Sequence, residues 1–154
     1  MKYAIRLFVV FVAIALSSLV LAAGHMSEDQ QSVWKTVSDS WADEVAENGN
    51  WPGQYVHEDA HSWGPSWPAP RGAESIASWS RFNNESSETM QYELFPLNVT
   101  VAGDTAVVHY GVVSVAADYQ GKRERSSEGL VETLVRTDSG WKFIGLTSFE
   151  IGTD

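Results

Sequence analysis

The feature that most constrains this chain is a change of hydrophobic period near its middle. Before residue 83, apolar side chains recur every three or four positions. From Met90 onward they alternate every second position. Periods of three to four mark helices with one apolar face, and a period of two marks strands. Helices first and strands afterwards predict an α+β domain in which a sheet wraps on the helices.

The first helix is predicted over 28–47. Ser27-Glu28-Asp29-Gln30 has the Ser and Gln of a capping box. Val33, Val37, Trp41 and Val45 form a stripe, and Asn48-Gly49-Asn50 ends the helix. Glu28, Asp29, Asp39, Asp43, Glu44 and Glu47 read as its solvated side. A second helix is predicted over 72–82 from Ile76, Trp79 and Phe82. Between the two, residues 66–72 carry Pro and Gly too densely for regular structure.

The strand half reads as a meander of about four long strands. They begin near Met90, at Ala106, at Arg123 and at Trp141, with turns at Ala102-Gly103-Asp104, Tyr119 to Lys122 and Thr137 to Gly140. Strands joined by such short turns are antiparallel neighbours.

Residues 1–23 form a different kind of segment. Lys2 and Arg6 precede an apolar run from Leu7 to Leu21, and small residues follow at Ala22 and Ala23. This is the pattern of a cleaved secretory signal, and the run is shorter than the ~20 residues that span a bilayer. The expectation is a signal peptide at 1–23, a single domain at 24–154 and a periplasmic or secreted product without further membrane attachment. The 154-residue chain has a net charge of −10, and loss of two leader cations makes it −12. No basic stripe is present to meet phosphates, so no nucleic-acid partner is expected. With 0 Cys, disulfides, thiolate catalysis and Cys-ligated metal are excluded. No P-loop, G-x-G-x-x-G or G-x-S-x-G pattern occurs, and no cofactor is expected.

Three stretches together resemble the NTF2-like superfamily, in particular its SnoaL-like and DUF4440-type proteins. They are the opening helix ending at Asn48-Gly49-Asn50, the passage from Tyr55-Val56-His57-Glu58-Asp59-Ala60 through Trp63-Gly64-Pro65 to Arg71-Gly72, and Glu132 to Arg136 with Gly140 to Ile144. The resemblance implies a cone: N-terminal helices on the concave face of a curved antiparallel sheet, with a pocket between them. Members include ketosteroid isomerase, scytalone dehydratase, limonene epoxide hydrolase and polyketide cyclases, while others bind a ligand or only assemble. The fold therefore does not supply the function. The ketosteroid isomerase pattern would put its general base at Gly64 and its oxyanion Tyr near Trp41-Ala42. Neither can shuttle a proton or stabilise an oxyanion as required, which disfavours that chemistry. DUF4440-like relatives often carry His where this chain has Gly145 and Thr147. Gly145 reads as room for a ligand or as a bulge.

The remaining candidates come from residue type and position. His57 and His61 could share a metal only on a helix, and no third ligand is marked, so no metal is expected. His61 is also a candidate pocket acid–base. His109 lies in the Val-rich strand, and Glu132 between Val131 and Thr133 is costly there unless paired or solvated. A turn at 119–122 would set the two opposite each other on one face, as an acid–base pair. Trp63, Trp67 and Tyr92 are candidate ligand contacts, with Arg71 as a lone cation at the rim. Trp79 and Trp141 read as core. Three functions follow: binding of a small organic ligand; an isomerase, dehydratase or hydrolase using His61, His109 or Glu132; and a homodimeric assembly module.

Overall fold

The computed structural model describes residues 26–65 and 67–152. The expected leader at 1–23 lies outside them. Among the described residues no helix is long and apolar enough to cross a membrane.

The chain forms α1 (Glu28–Val45), β1 (Val56–Trp63), β2 (Arg71–Gly72), α2 (Ala73–Ser86), β3 (Ser87–Ala102), β4 (Thr105–Asp118), β5 (Arg123–Thr137) and β6 (Gly140–Glu150). The strands make one curved, open sheet in the order β2-β1-β6-β5-β4-β3. The helices pack on its concave face. The sheet is mixed, because β1 runs parallel to β6 while the other pairings are antiparallel. The meander pairs antiparallel as expected, and the one parallel pairing arises because Val56–Trp63 is a full strand that joins the sheet beyond β6.

The capping box forms as its sequence requires. The Gln30 amide N–H donates to the Ser27 hydroxyl, and the Ser27 N–H donates to the Gln30 side chain. Val33 and Val37 on α1 are fully buried against Val99, Ala106, Val108, Tyr110, Leu134, Trp141 and Phe143. Every large residue in that set comes from the inward-facing positions of a strand, as alternation demands. α2 continues to Ser86, four residues beyond the expected 82, and its C-cap leads directly into β3. The bulge opposite Thr133 and Leu134 falls beside Gly145, so that glycine marks a bulge, as one of its two readings held.

The turn after β4 decides which residues face inward. Asp118 pairs with Lys122 through a backbone hydrogen bond, leaving a three-residue loop whose Gly121 has φ +79°. The Asp118 carboxylate accepts hydrogen bonds from the backbone N–H of Gln120 and of Lys122. This is the three-residue hairpin with a left-handed glycine. It sets the β4–β5 register one residue away from that of a four-residue loop.

Candidate functional site: a carboxyl-lined hollow

One step of register separates His109 from Glu132. His109 lies opposite Val131, and Glu132 lies opposite Val108. Because neighbouring side chains alternate between faces, His109 is on the convex side and Glu132 on the concave side. The expected His109–Glu132 pair is therefore not formed. On the convex face His109 is half-buried between strands, with its Nδ1 enclosed and without a hydrogen-bond partner.

Glu132 is buried to 4% exposure at the floor of a hollow of about 170 Å³. Leu130 and Leu146 beside it on the sheet, Trp41 and Glu44 from α1, and Trp51 from the following loop form the walls. Ser62 of β1 and Ser148 of β6 add hydroxyls. Burial pushes the Glu132 carboxyl up to about 8, the Tyr110 hydroxyl hydrogen-bonded to it works in the other direction, and the nearby Glu44 adds to the rise. The Tyr110 oxygen also accepts a 2.8 Å hydrogen bond from the Trp41 indole N–H. Trp41, Tyr110 and Glu132 thus form a chain of polar contacts across the helix–sheet interface. The Glu132 Oε2 atom remains buried with no partner. A group in that state is among the more costly a fold can hold.

Two further carboxyls share the enclosure. Glu44 projects from the last turn of α1, and burial pushes it up to about 7. Glu128, four residues before Glu132 on the same face of β5, is raised by burial and by Glu150, which lies directly opposite it on β6. The sequence reading put Glu44 on the solvated side of α1. It sits seven residues after the buried Val37, hence on the same helix face, and that spacing was the available signal. Glu128 carried no comparable signal, because its polar strand start gives no face.

A larger outer cleft adjoins the hollow. Gly64, Pro65, Trp67 and Trp79 form one side, Arg125 to Glu128 with Ser148, Glu150 and Ile151 the other. Glu128 and Ser148 line both spaces and stand at the boundary between them. Trp67 meets Trp79 edge to face at 5.0 Å, and the Arg71 guanidinium lies over the Trp67 ring. Trp67 therefore lines the outer cleft. Arg71 braces it. Trp63 is exposed, and its indole N–H donates to the Trp67 carbonyl at 2.9 Å; it steadies the loop and lies outside the lining of the cleft. Trp79, read from sequence as core, is 46% exposed and belongs to the rim, whereas Trp141 is core at 4%. Tyr92 faces inward and stacks on Trp41 at 5.8 Å, behind the wall of the hollow.

His57 and His61 belong to a strand. Four extended residues separate their Cα atoms by ~13 Å, too far for one ion. Among the described residues no three His, Cys, Asp or Glu side chains are grouped to hold a metal. His61 is exposed, with Nδ1 3.0 Å from the Asp59 carbonyl, and lines neither the hollow nor the cleft. It cannot serve as an acid–base inside that space.

A second polar knot closes the far side of α1. Tyr55 donates to Asp43 at 2.5 Å, and the Asn48 and Asn50 amides donate to the same carboxylate. These bonds, that of Tyr55 foremost, hold Asp43 below its ordinary range. Asp43 is thus an ionised anchor for the helix end, in contrast with its neighbour Glu44.

Comparison with known proteins agrees with this architecture. A ketosteroid isomerase-like protein from Erwinia carotovora atroseptica superposes with a TM-score of 0.72 at 14% identity, over 83% of this chain and 100% of that one. An NTF2-like superfamily protein from Salmonella enterica serovar Typhimurium gives 0.68 at 12%, over 81% and 92%. The CaMKII hub of S. rosetta gives 0.65 at 14%, over 79% and 95%. At these identities the likeness is one of fold. No curated protein matches the sequence. The SnoaL-like domain model matches residues 29–147, which is most of the chain, and the protein belongs to that family of the NTF2-like superfamily.

Proposed function

We propose that this protein is an exported binder of a small, partly apolar organic molecule, held in the hollow between α1 and the sheet. The observation that carries this reading is the lining of the hollow, in which Trp41, Trp51, Leu130 and Leu146 surround the Glu132 carboxyl and the Ser62 and Ser148 hydroxyls, beside a cleft walled by Trp67 and Trp79. Apolar walls with a few convergent polar groups are the usual composition of small-molecule sites. Catalysis is the weaker reading, because the His–Glu pair that would have driven it is split between the two faces of the sheet. Export rests on the leader pattern at 1–23.

The test is native mass spectrometry of protein purified from its own cells, followed by titration of the recovered compound against tryptophan fluorescence. Trp67→Ala is expected to weaken binding while barely moving the melting temperature. A protein that carries no compound and responds to none would remove the reading. N-terminal sequencing of the mature product, expected to start at Ala23 or Gly24, checks export separately.

Self-association is a second reading, supported by the outer face of the sheet. Phe95 and Phe149 lie there, 40% and 50% exposed, packed over Gly111 and Gly129. Sedimentation of wild type against Phe149→Lys tests it, with loss of the dimer expected in the variant.

A further inference from the structure

We infer that the ligand of this hollow is an organic amine, whose ammonium group is held by Glu132, Glu44 and Glu128 while its apolar body lies toward the aromatic rim. The inference rests on the binding reading above and names its ligand class.

Three observations carry it. First, the Glu132 side chain lines the hollow, and its enclosed Oε2 has no hydrogen-bond partner among the described residues. A buried polar atom that the fold leaves unpaired calls for an explanation, and a donor on a ligand supplies one. Second, the lining is one-sided in charge. Glu44, Glu128 and Glu132 line the hollow, and among the described residues no Lys, Arg or His does. The adjoining depression between α1, α2 and the sheet is lined by Glu44, Glu47 and Glu128, again without a cation. An anionic ligand would be repelled wherever these carboxyls ionise, with no cation in the lining to offset it, whereas an ammonium ion pairs with them. Third, Trp41 and Trp51 bring ring surface to the same space, and a cation is attracted to the face of an indole.

The groups that face Glu132 can be named element by element. α1 contributes Glu44, β4 contributes Tyr110, and β5 contributes Glu128, with Glu150 of β6 beyond it. The part of β1 that reaches the hollow offers only Ser62. The nearest cations lie outside: Arg125 in the outer cleft, and Arg81 of α2 in the depression on the far side of Glu44. With Glu44 pushed up to about 7 and Glu132 to about 8, Glu132 is largely protonated and Glu44 about half protonated at neutral pH in the unliganded protein. An ammonium ion favours the ionised carboxyls and expels their protons. Binding is therefore linked to proton release and strengthens as pH rises through 7 to 8.

The experiment uses the mature protein and matched probes of one skeleton each: 2-phenylethylamine, 2-phenylethanol and 3-phenylpropanoate, with the cyclohexyl analogues as a second set. Affinities are measured by calorimetry at pH 6 and pH 8.5, in two buffers of different ionisation enthalpy so that proton release is counted. The amine is expected to bind at least tenfold more tightly than the alcohol at pH 8.5, with protons released and with a smaller advantage at pH 6. Glu132→Gln is expected to reduce the amine to the level of the alcohol, removing at least tenfold of its advantage at pH 8.5. Glu44→Gln, on the accessible helix side, is expected to reduce it part of the way, and reports even where the Glu132 variant folds poorly. Equal binding of amine and alcohol, tighter binding of the carboxylate, or an amine preference that survives both variants overturns the inference and leaves the binding site standing. Failure of every probe to bind overturns the inference together with the binding reading.

Discussion

The two ends of the concave face use the same strands for opposite purposes. At one end Ala106 and Val108 of β4, Leu134 of β5, and Trp141 and Phe143 of β6 meet Val33 and Val37 of α1, and all are buried. At the other end the inward positions of the same strands are Ser114, Ser126, Glu128, Ser148 and Glu150. There the Ser114 and Ser126 hydroxyls hydrogen-bond to each other at 2.9 Å instead of packing under a helix. The change happens across Tyr110 and Glu132, roughly the middle of each strand. Strands of 14 and 15 residues, well beyond the usual ~5–6, can therefore hold a core at one end and a polar hollow at the other. The cost of the polar end is carried by the apolar one, since buried apolar area is the main favourable term in folding.

This division gives its largest expected effect at the packed end. Phe143→Ala should destabilise by about 3–5 kcal/mol and Leu134→Ala by about 2–5 kcal/mol. Ser148→Ala, at an inward position of the open end, should stay within about 0.5 kcal/mol. Urea denaturation of the three variants checks this. A costly Ser148 variant would mean that the open end is structural.

Next in size is the pH dependence of the unliganded protein. Glu132 and Glu44 hold protons above the ordinary carboxyl value of 4.5, up to about 8 and about 7. Below 4.5 folded and unfolded chains are both protonated, and this source of stability is fully present. Between 4.5 and 8 the unfolded chain ionises first, so stability falls as pH rises. The loss should reach a few kcal/mol by pH 9. Denaturation midpoints from pH 5 to pH 9 should show the fall in wild type and a flatter curve in Glu132→Gln. Saturating amine should oppose it, because a ligand bound only by the folded state stabilises that state.

Smaller effects belong to the hairpin and to the Glu128–Glu150 pair. Gly121→Ala should cost about 1 kcal/mol, because φ +79° suits glycine and strains an L residue. Glu150→Lys should gain about 0.2–1 kcal/mol, since it replaces a like-charge pair across β5 and β6 by an opposite one. The gain should shrink in high salt. An unchanged midpoint at low salt would show that Glu128 is protonated in the apo protein.

Local rules were readable in the sequence, and the relations between distant segments were read less well. The capping box, the buried stripe of α1 and the strand of Val residues follow from spacing alone, and they fixed the closed end. The cost of placing Glu132 in an apolar strand was also visible. Its orientation was not, because alternation defines two faces without saying which is inside. That depended on whether the 119–122 turn closes through three residues or four. Glu44 was hidden among five other acids of α1 that read as solvent-facing. Only the sheet laid over the helix end separates it from Asp43, which Tyr55 and two Asn residues keep ionised.

The loop at Tyr119-Gln120-Gly121 has a consequence for how such proteins diverge. Its odd number of residues acts as a parity bit for everything after it on β5. Adding or removing one residue there would exchange the contents of the two faces, sending Glu132 and Leu134 outward and bringing Val131 and Thr133 in. A relative could acquire a different interior by that route with every strand residue conserved. An alignment that counts matched positions would not register the change.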